Sequence, residues 1–181
     1  MRKILTESFP VLTVVSIVEL SAGILLELKS ETLIMLPILL VFIPPLNNLG
    51  GSFGSILSSR ISTALSLGEI EPRFARNENL EENIIGLIIV GLISSIYLGL
   101  VVYIVGYFTG IQSFPVITSI LFGVISGLML TTPIVGVSVA VAFISWNLGL
   151  DPDNVSTPII TAIADALGIL CVMIIMKLFG F

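Results

Sequence analysis

NIIGLIIVGLISSIYLGLVVYIVGYFTGIQSFPVITSILFGVISGLMLTTPIVGVSVAVAFISWNLGL, from Asn83 to Leu150, contains no charged residue. About 20 apolar residues carry a helix across a bilayer, so this run holds two spans and the turn between them. Glycine and proline at Gly110 to Pro115 mark that turn. A second uncharged run extends from Thr32 to Ser59. The rest of the chain agrees: 181 residues are 56% hydrophobic and 10% charged, where a soluble domain carries about 25% charged residues. Mean hydropathy is +1.17. The fold class is an all-α integral membrane protein.

Working outward gives five transmembrane helices in a single domain spanning 1–181. The first runs from about Phe9 to Leu26, with Glu19 inside it. Its start resembles a signal peptide, but Glu7 and Glu19 interrupt the apolar core such a peptide needs, so it reads as a retained helix. The second begins near Thr32 and continues to Leu67. Pro44-Pro45 and Gly50-Gly51 inside it predict a kink, tolerated where neighbours or a cavity satisfy the freed backbone. Gly68 to Glu82 is a charged loop with Pro72. The third span covers Asn83 to Tyr107, and the fourth covers Val116 to Trp146 with a bend at Pro133. The fifth follows Asp151 and ends near Phe179.

Lysine and arginine flanking the spans set orientation. With the N-terminus cytoplasmic and the C-terminus outside, Arg2, Lys3, Arg60, Arg73 and Arg76 lie inside, and Lys29 and Lys177 outside. That is the favoured arrangement, in a multi-pass protein of the plasma membrane. The net charge of −5 comes mostly from one loop (Glu69, Glu71, Glu78, Glu81, Glu82), and no basic patch suggests nucleic acid. The absence of histidine removes imidazole metal sites, bases and proton relays. Cys171, the one cysteine, sits in an apolar run as a buried thiol. No prosthetic group is expected.

Two spans carry polar stripes. In the fifth, Asn154, Thr157, Thr161, Asp165 and Gly168 recur at three and four, the spacing of one helical face. A carboxylate inside a span costs roughly 2.5–3.5 kcal/mol on insertion scales and marks a functional site by default. In the second, Asn48, Ser52, Ser55, Ser59 and Ser62 recur in the same way. Helix packing alone explains small and hydroxyl residues at such positions. Turned toward each other, the two faces would instead line a water-filled path. Asp165 has no lysine or arginine deep in another span to pair with, leaving a cation or a proton as its partner. Glu19 faces the same path as an accessory acid, or sits among packing groups. Asp151 and Asp153 read as a helix cap at the cytoplasmic mouth, where they would also draw cations.

The available ligands are carboxylate, amide, hydroxyl and carbonyl oxygens, which suit hard ions. One acid per chain cannot cage Ca²⁺, which takes six to eight oxygens. Mg²⁺ keeps its waters and is held through them by one or two carboxylates. Two Asp165 side chains about a dimer axis would fit hydrated Mg²⁺, and Na⁺ or H⁺ coupling stays open on this reasoning.

Ile43-Pro44, then Asn48-Leu49-Gly50-Gly51-Ser52-Phe53-Gly54-Ser55, Arg60 and Leu67-Gly68, resembles the signature of the MgtE magnesium transporters and their solute carrier family 41 relatives. Asp151-Pro152, Pro158, Thr161 and Asp165 to Gly168 is similar to its second half. The resemblance implies a dimer whose ion path runs between second and fifth helices, with Asp165 binding hydrated Mg²⁺ as the transported ion. It places Asn48 and Ser52 in the pore-helix motif, and Thr157, Pro158 and Thr161 in the fifth-helix motif. Where the family has glycine-glycine-asparagine, this chain has Gly50-Gly51-Ser52, which loses an amide ligand. The chain also starts almost at its first span, so gating by an attached sensor domain is not expected. A single five-helix half is expected to pair with itself or with a sister half.

Three other readings compete with Mg²⁺ transport through a dimer pore. An exchanger coupled to Na⁺ or H⁺ could use the same scaffold. A non-conducting partner subunit would leave the pore to a sister chain. An intramembrane aspartyl protease needs two facing carboxylates, but Ile163-Ala164 precede Asp165 where that chemistry has a glycine motif.

Overall fold

The computed structural model describes residues 2–28, 30–71, 77–111 and 114–178, without the side chains of 2–6, 30, 32, 35 and 153. The described chain is helical: α1 (Arg2–Glu27), α2 (Ser30–Met35), α3 (Pro37–Leu67), α4 (Glu78–Thr109), α5 (Val116–Asn147) and α6 (Pro152–Leu178). Among the described residues, four stretches are long and apolar enough to cross a membrane: Glu7–Glu27 of α1, α4, α5 and Asn154–Leu178 of α6. The remaining long helix, α3, carries Pro44, Pro45, Asn47, Asn48 and the glycines and serines of its stripe, which dilute its apolar character.

Helix boundaries follow local chemistry. Asn77 caps α4, its Oδ1 accepting from the backbone N–H of Asn79 (3.0 Å) and Leu80 (3.4 Å). Both α3 and α4 stop at a glycine in the left-handed region, Gly68 (φ 74°) and Gly110 (φ 71°), a conformation that costs other residues energy. The interruption in the second span falls at Leu36, just before Pro37. From there α3 continues as one helix through Pro44-Pro45 and Gly50-Gly51. Of the residues that set the expected orientation, Lys29, Arg73 and Arg76 lie outside the described residues, as do the side chains of Arg2 and Lys3. Pro72 and Phe179 are outside them too.

At the centre α3, α5 and α6 pack on one another, α4 covers α5 and α3, and α1 packs on α6. Close approach at glycines sets the directions. A methyl on Gly50 would fall 2.7 Å from Leu130 of α5, and one on Gly54 would fall 2.7 Å from Ile134 and 2.8 Å from Ser138. The same two positions abut Ala164 and Ile160 of α6. Thus α3 runs parallel to α5 and antiparallel to α6, as small residues allow when helices meet without a hydrophobic drive between them. Leu46, Leu130, Ile134, Ile160 and Ala164 are fully buried at this junction. Phe42 meets Phe122 edge-to-face at 4.9 Å nearby. A second cluster around Leu57, Ile61, Ala142 and Phe143 joins α3 to α5 further along.

Candidate ion-binding cleft

Two helix faces and a third wall enclose an open cleft of ≈ 830 Å³. From α3 come Pro44, Asn47, Asn48, Gly51, Ser52 and Ser55; from α6, Thr157, Thr161 and Asp165; from α1, Glu19, Ala22 and Gly23. The central members of the two stripes therefore do meet. Gly51 makes this possible: its missing side chain leaves Thr161 in contact, since a methyl there would stand 3.0 Å from Thr161 Cγ2.

Two of the four lining hydroxyls are engaged along their own helices. Thr161 Oγ1 donates to the carbonyls of Thr157 (2.9 Å) and Pro158 (3.0 Å), leaving its lone pairs toward the cleft. Ser52 Oγ donates to Asn48 Oδ1 (3.4 Å), linking two rungs of the stripe. Ser55 Oγ is buried without a partner among the described residues.

The two stripes do not continue along their full length into this cleft. Ser59 lines a neighbouring cleft of ≈ 700 Å³ with Arg60, Glu69, Glu82 and Asn83, where Arg60 Nη1 donates to Asn83 Oδ1 at 2.9 Å. Ser62 is buried. Asn154 is tied to α1: its Nδ2 donates to Glu7 Oε2 (3.2 Å), and its carbonyl accepts from Ser8 Oγ (3.4 Å). The second bond has a reason in the sequence. Pro158 cannot supply the N–H that the Asn154 carbonyl would receive within a regular helix, and Ser8 takes its place. Gly168 closes the stripe from beneath, packed directly against Asn47 Oδ1.

Asn47 is the residue that periodicity passes over. It precedes Asn48 and so lies off the i, i+4 stripe by about 100°, yet it faces α6. Its Nδ2 donates to the main-chain carbonyl of Asp165 at 3.5 Å, and its side chain lies beside the Asp165 carboxyl. The signal that could have found it is Gly168: a glycine one turn beyond an intramembrane acid asks what large group fills the space.

The cleft thus offers carboxylate, amide and hydroxyl oxygens. No group of three or more histidine, cysteine or acidic residues positioned for a metal occurs among the described residues. The donors suit a hard cation that keeps its own waters, which needs few direct ligands.

Comparisons with known proteins meet this geometry. The family model for MgtE, divalent cation transporter, matches residues 43–175, which takes in α3 from Ile43, α4, α5 and nearly all of α6. Solute carrier family 41 member 3 of Rattus norvegicus is 29% identical over 147 residues, covering 75% of this chain and 30% of that protein. The Mus musculus protein of the same name is 28% identical over 147 residues, covering 75% and 28%. The chain thus spans under a third of the length of these curated relatives. No solved structure matches it. With two polar helix faces meeting inside the matched region, the chain belongs to the MgtE family of divalent cation transporters.

Proposed function

We propose that the protein carries Mg²⁺ across the plasma membrane through a pore completed by a second copy or a sister half. Asp165 would bind the hydrated ion, with Asn48, Ser52, Ser55, Thr157 and Thr161 lining its path. The observation that carries this reading is the Asp165 carboxylate where the polar faces of α3 and α6 meet, among amide and hydroxyl oxygens in an ≈ 830 Å³ cleft. A dehydrated Ca²⁺ would need six to eight oxygens, whereas Mg²⁺ held through its waters needs one or two carboxylates. Two copies facing each other across α3 and α6 would supply two.

In this reading the whole chain is one domain of five spans, α3 being the second, with the N-terminus cytoplasmic. The helix directions support it: α3 and α5 run together, and α6 runs against them, as alternate crossings require. The protein acts as a transporter and not as an enzyme. The membrane potential would drive entry with about 2.3 kcal/mol per charge per 100 mV, roughly doubled for a divalent ion.

Asp165→Asn in reconstituted vesicles tests the proposal. Uptake of Mg²⁺ under an imposed voltage is expected to fall to background while the dimer stays intact. Undiminished uptake by that variant sinks the assignment. Uptake that follows a Na⁺ or pH gradient, and not voltage, would select the exchanger on the same scaffold.

A further inference from the structure

Glu19 has no part in the mechanism above, yet it shares the cleft with Asp165. It lies well inside Glu7–Glu27, a stretch apolar enough to span a membrane, where an acid is tolerated when it faces a polar cavity. Its height is fixed by the contact between α1 and α6. Those helices are pinned where Ser8 Oγ donates to the Asn154 carbonyl. Counting from that pin, Glu19 lies eleven residues along α1 and Asp165 lies eleven residues along α6. At 1.5 Å per residue each acid stands about 16 Å from the pin. With the two helices running the same way, the acids share one level. The α1 wall is low around Glu19: Ala22 and Gly23 also line the cleft, and a methyl on Gly23 would meet nothing within 4 Å.

A hydrated divalent ion is large enough to reach acids on both walls of the cleft. Mg²⁺ holds water at about 2.1 Å, and a carboxylate accepts from that water at about 2.7 Å. Outer-shell carboxylates on opposite sides of one hydrated ion therefore stand roughly 9–10 Å apart. Neighbouring helix axes are separated by about 8–10 Å. We infer that Glu19 is a second cation-binding carboxylate, contributed by α1, that acts with Asp165 on the water shell of the same divalent ion. This rests on the reading of the cleft as the Mg²⁺ path. Each chain then presents two negative charges to the path, a field that favours a divalent cation over a monovalent one.

Flux titrations in proteoliposomes with Glu19→Gln, Glu19→Asp and Asp165→Asn test it. Glu19→Gln should raise the half-saturating Mg²⁺ concentration about tenfold, the scale of one charge acting on a divalent ion across about 6 Å of water. Na⁺ should compete better in that variant, and Glu19→Asp should retain most of the affinity. Half-saturation and Na⁺ competition unchanged in Glu19→Gln would overturn the inference. Normal transport by Asp165→Asn would instead remove the cleft reading, whatever Glu19 does. A second readout leaves Glu19 in place: Gly23→Cys, one turn further along the same wall, should be shielded by Mg²⁺ from a charged thiol reagent. Equal labelling with and without Mg²⁺ would also overturn it.

Discussion

Asn47 of α3 reaches across to Asp165 of α6, donating Nδ2 to its main-chain carbonyl at 3.5 Å. The other end of the same amide, Oδ1, is buried without a partner among the described residues. The bond is long, so its net worth is at the low end of the 0.5–1.5 kcal/mol range, and an unpaired buried oxygen offsets it. Asn47 therefore does little for stability. Its weight lies in holding the turn of α6 that presents Asp165. Asn47→Leu, close in shape and lacking both polar ends, should unfold within about 1 kcal/mol of the parent. Its Mg²⁺ uptake at sub-saturating concentration should fall several-fold. Thermal denaturation in detergent and a flux titration separate the two effects, and a large stability loss with normal uptake would contradict this role.

Gly168 sets the place of Asn47. A methyl at Gly168 would overlap Asn47 Oδ1, so Gly168→Ala must push the amide aside. Overpacking of this kind costs about 1–3 kcal/mol, and uptake should fall as in Asn47→Leu. Shortening the neighbour gives the sharper measurement. Asn47→Ala combined with Gly168→Ala should be more stable than the two single losses add up to, because the clash is gone. Strict additivity in that cycle would mean the two side chains do not compete for one space.

The outlines of this fold are legible in the sequence because bilayer thickness imposes a length on every uncharged run, and α4 and α5 match that reading to within a few residues. The meeting of Ser52 and Ser55 with Thr157, Thr161 and Asp165 is legible too, since i, i+4 recurrence places each set on one face. What periodicity cannot give is where a face stops being shared. Ser59 continues the α3 stripe by spacing but lines the next cleft beside Arg60. Asn154 continues the α6 stripe but answers to Glu7 and Ser8 of α1. Both outcomes depend on how far a third helix reaches along the pair. Spacing within one helix holds no information on that.

Gly54 and Gly86 separate packing glycines from exposed ones. Gly54 lies between Ile134, Ser138 and Ile160, and a methyl there would overlap both α5 and α6. Gly86 of α4 is exposed, and a methyl there would touch nothing within 4 Å. Gly54→Ala is expected to destabilise by about 1–3 kcal/mol through overpacking. Gly86→Ala should be neutral or stabilise by up to about 1 kcal/mol through helix propensity. Parallel melting curves in one detergent check the contrast, and equal effects at the two positions would refute the packing of α3 between α5 and α6.

Ser8 and Pro158 bear on one acceptor, the Asn154 carbonyl. Pro158 leaves the Asn154 carbonyl without its usual helical donor, and Ser8 Oγ supplies a hydrogen bond to it at 3.4 Å. Removing Ser8 alone leaves a part-buried carbonyl without its donor, at a cost of about 1 kcal/mol. Ser8→Ala should therefore lower the melting temperature and loosen α1 from α6. Since α1 carries Glu19 into the cleft, accessibility at Gly23→Cys should rise in the same variant. Restoring the helical donor with Pro158→Ala makes Ser8 dispensable. In that background Ser8→Ala should change stability by no more than a few tenths of a kcal/mol, since only a weak second bond to an already satisfied oxygen is lost. An undiminished cost of Ser8→Ala beside Pro158→Ala would show that Ser8 acts through some other group, and the common height of Glu19 and Asp165 would lose its anchor.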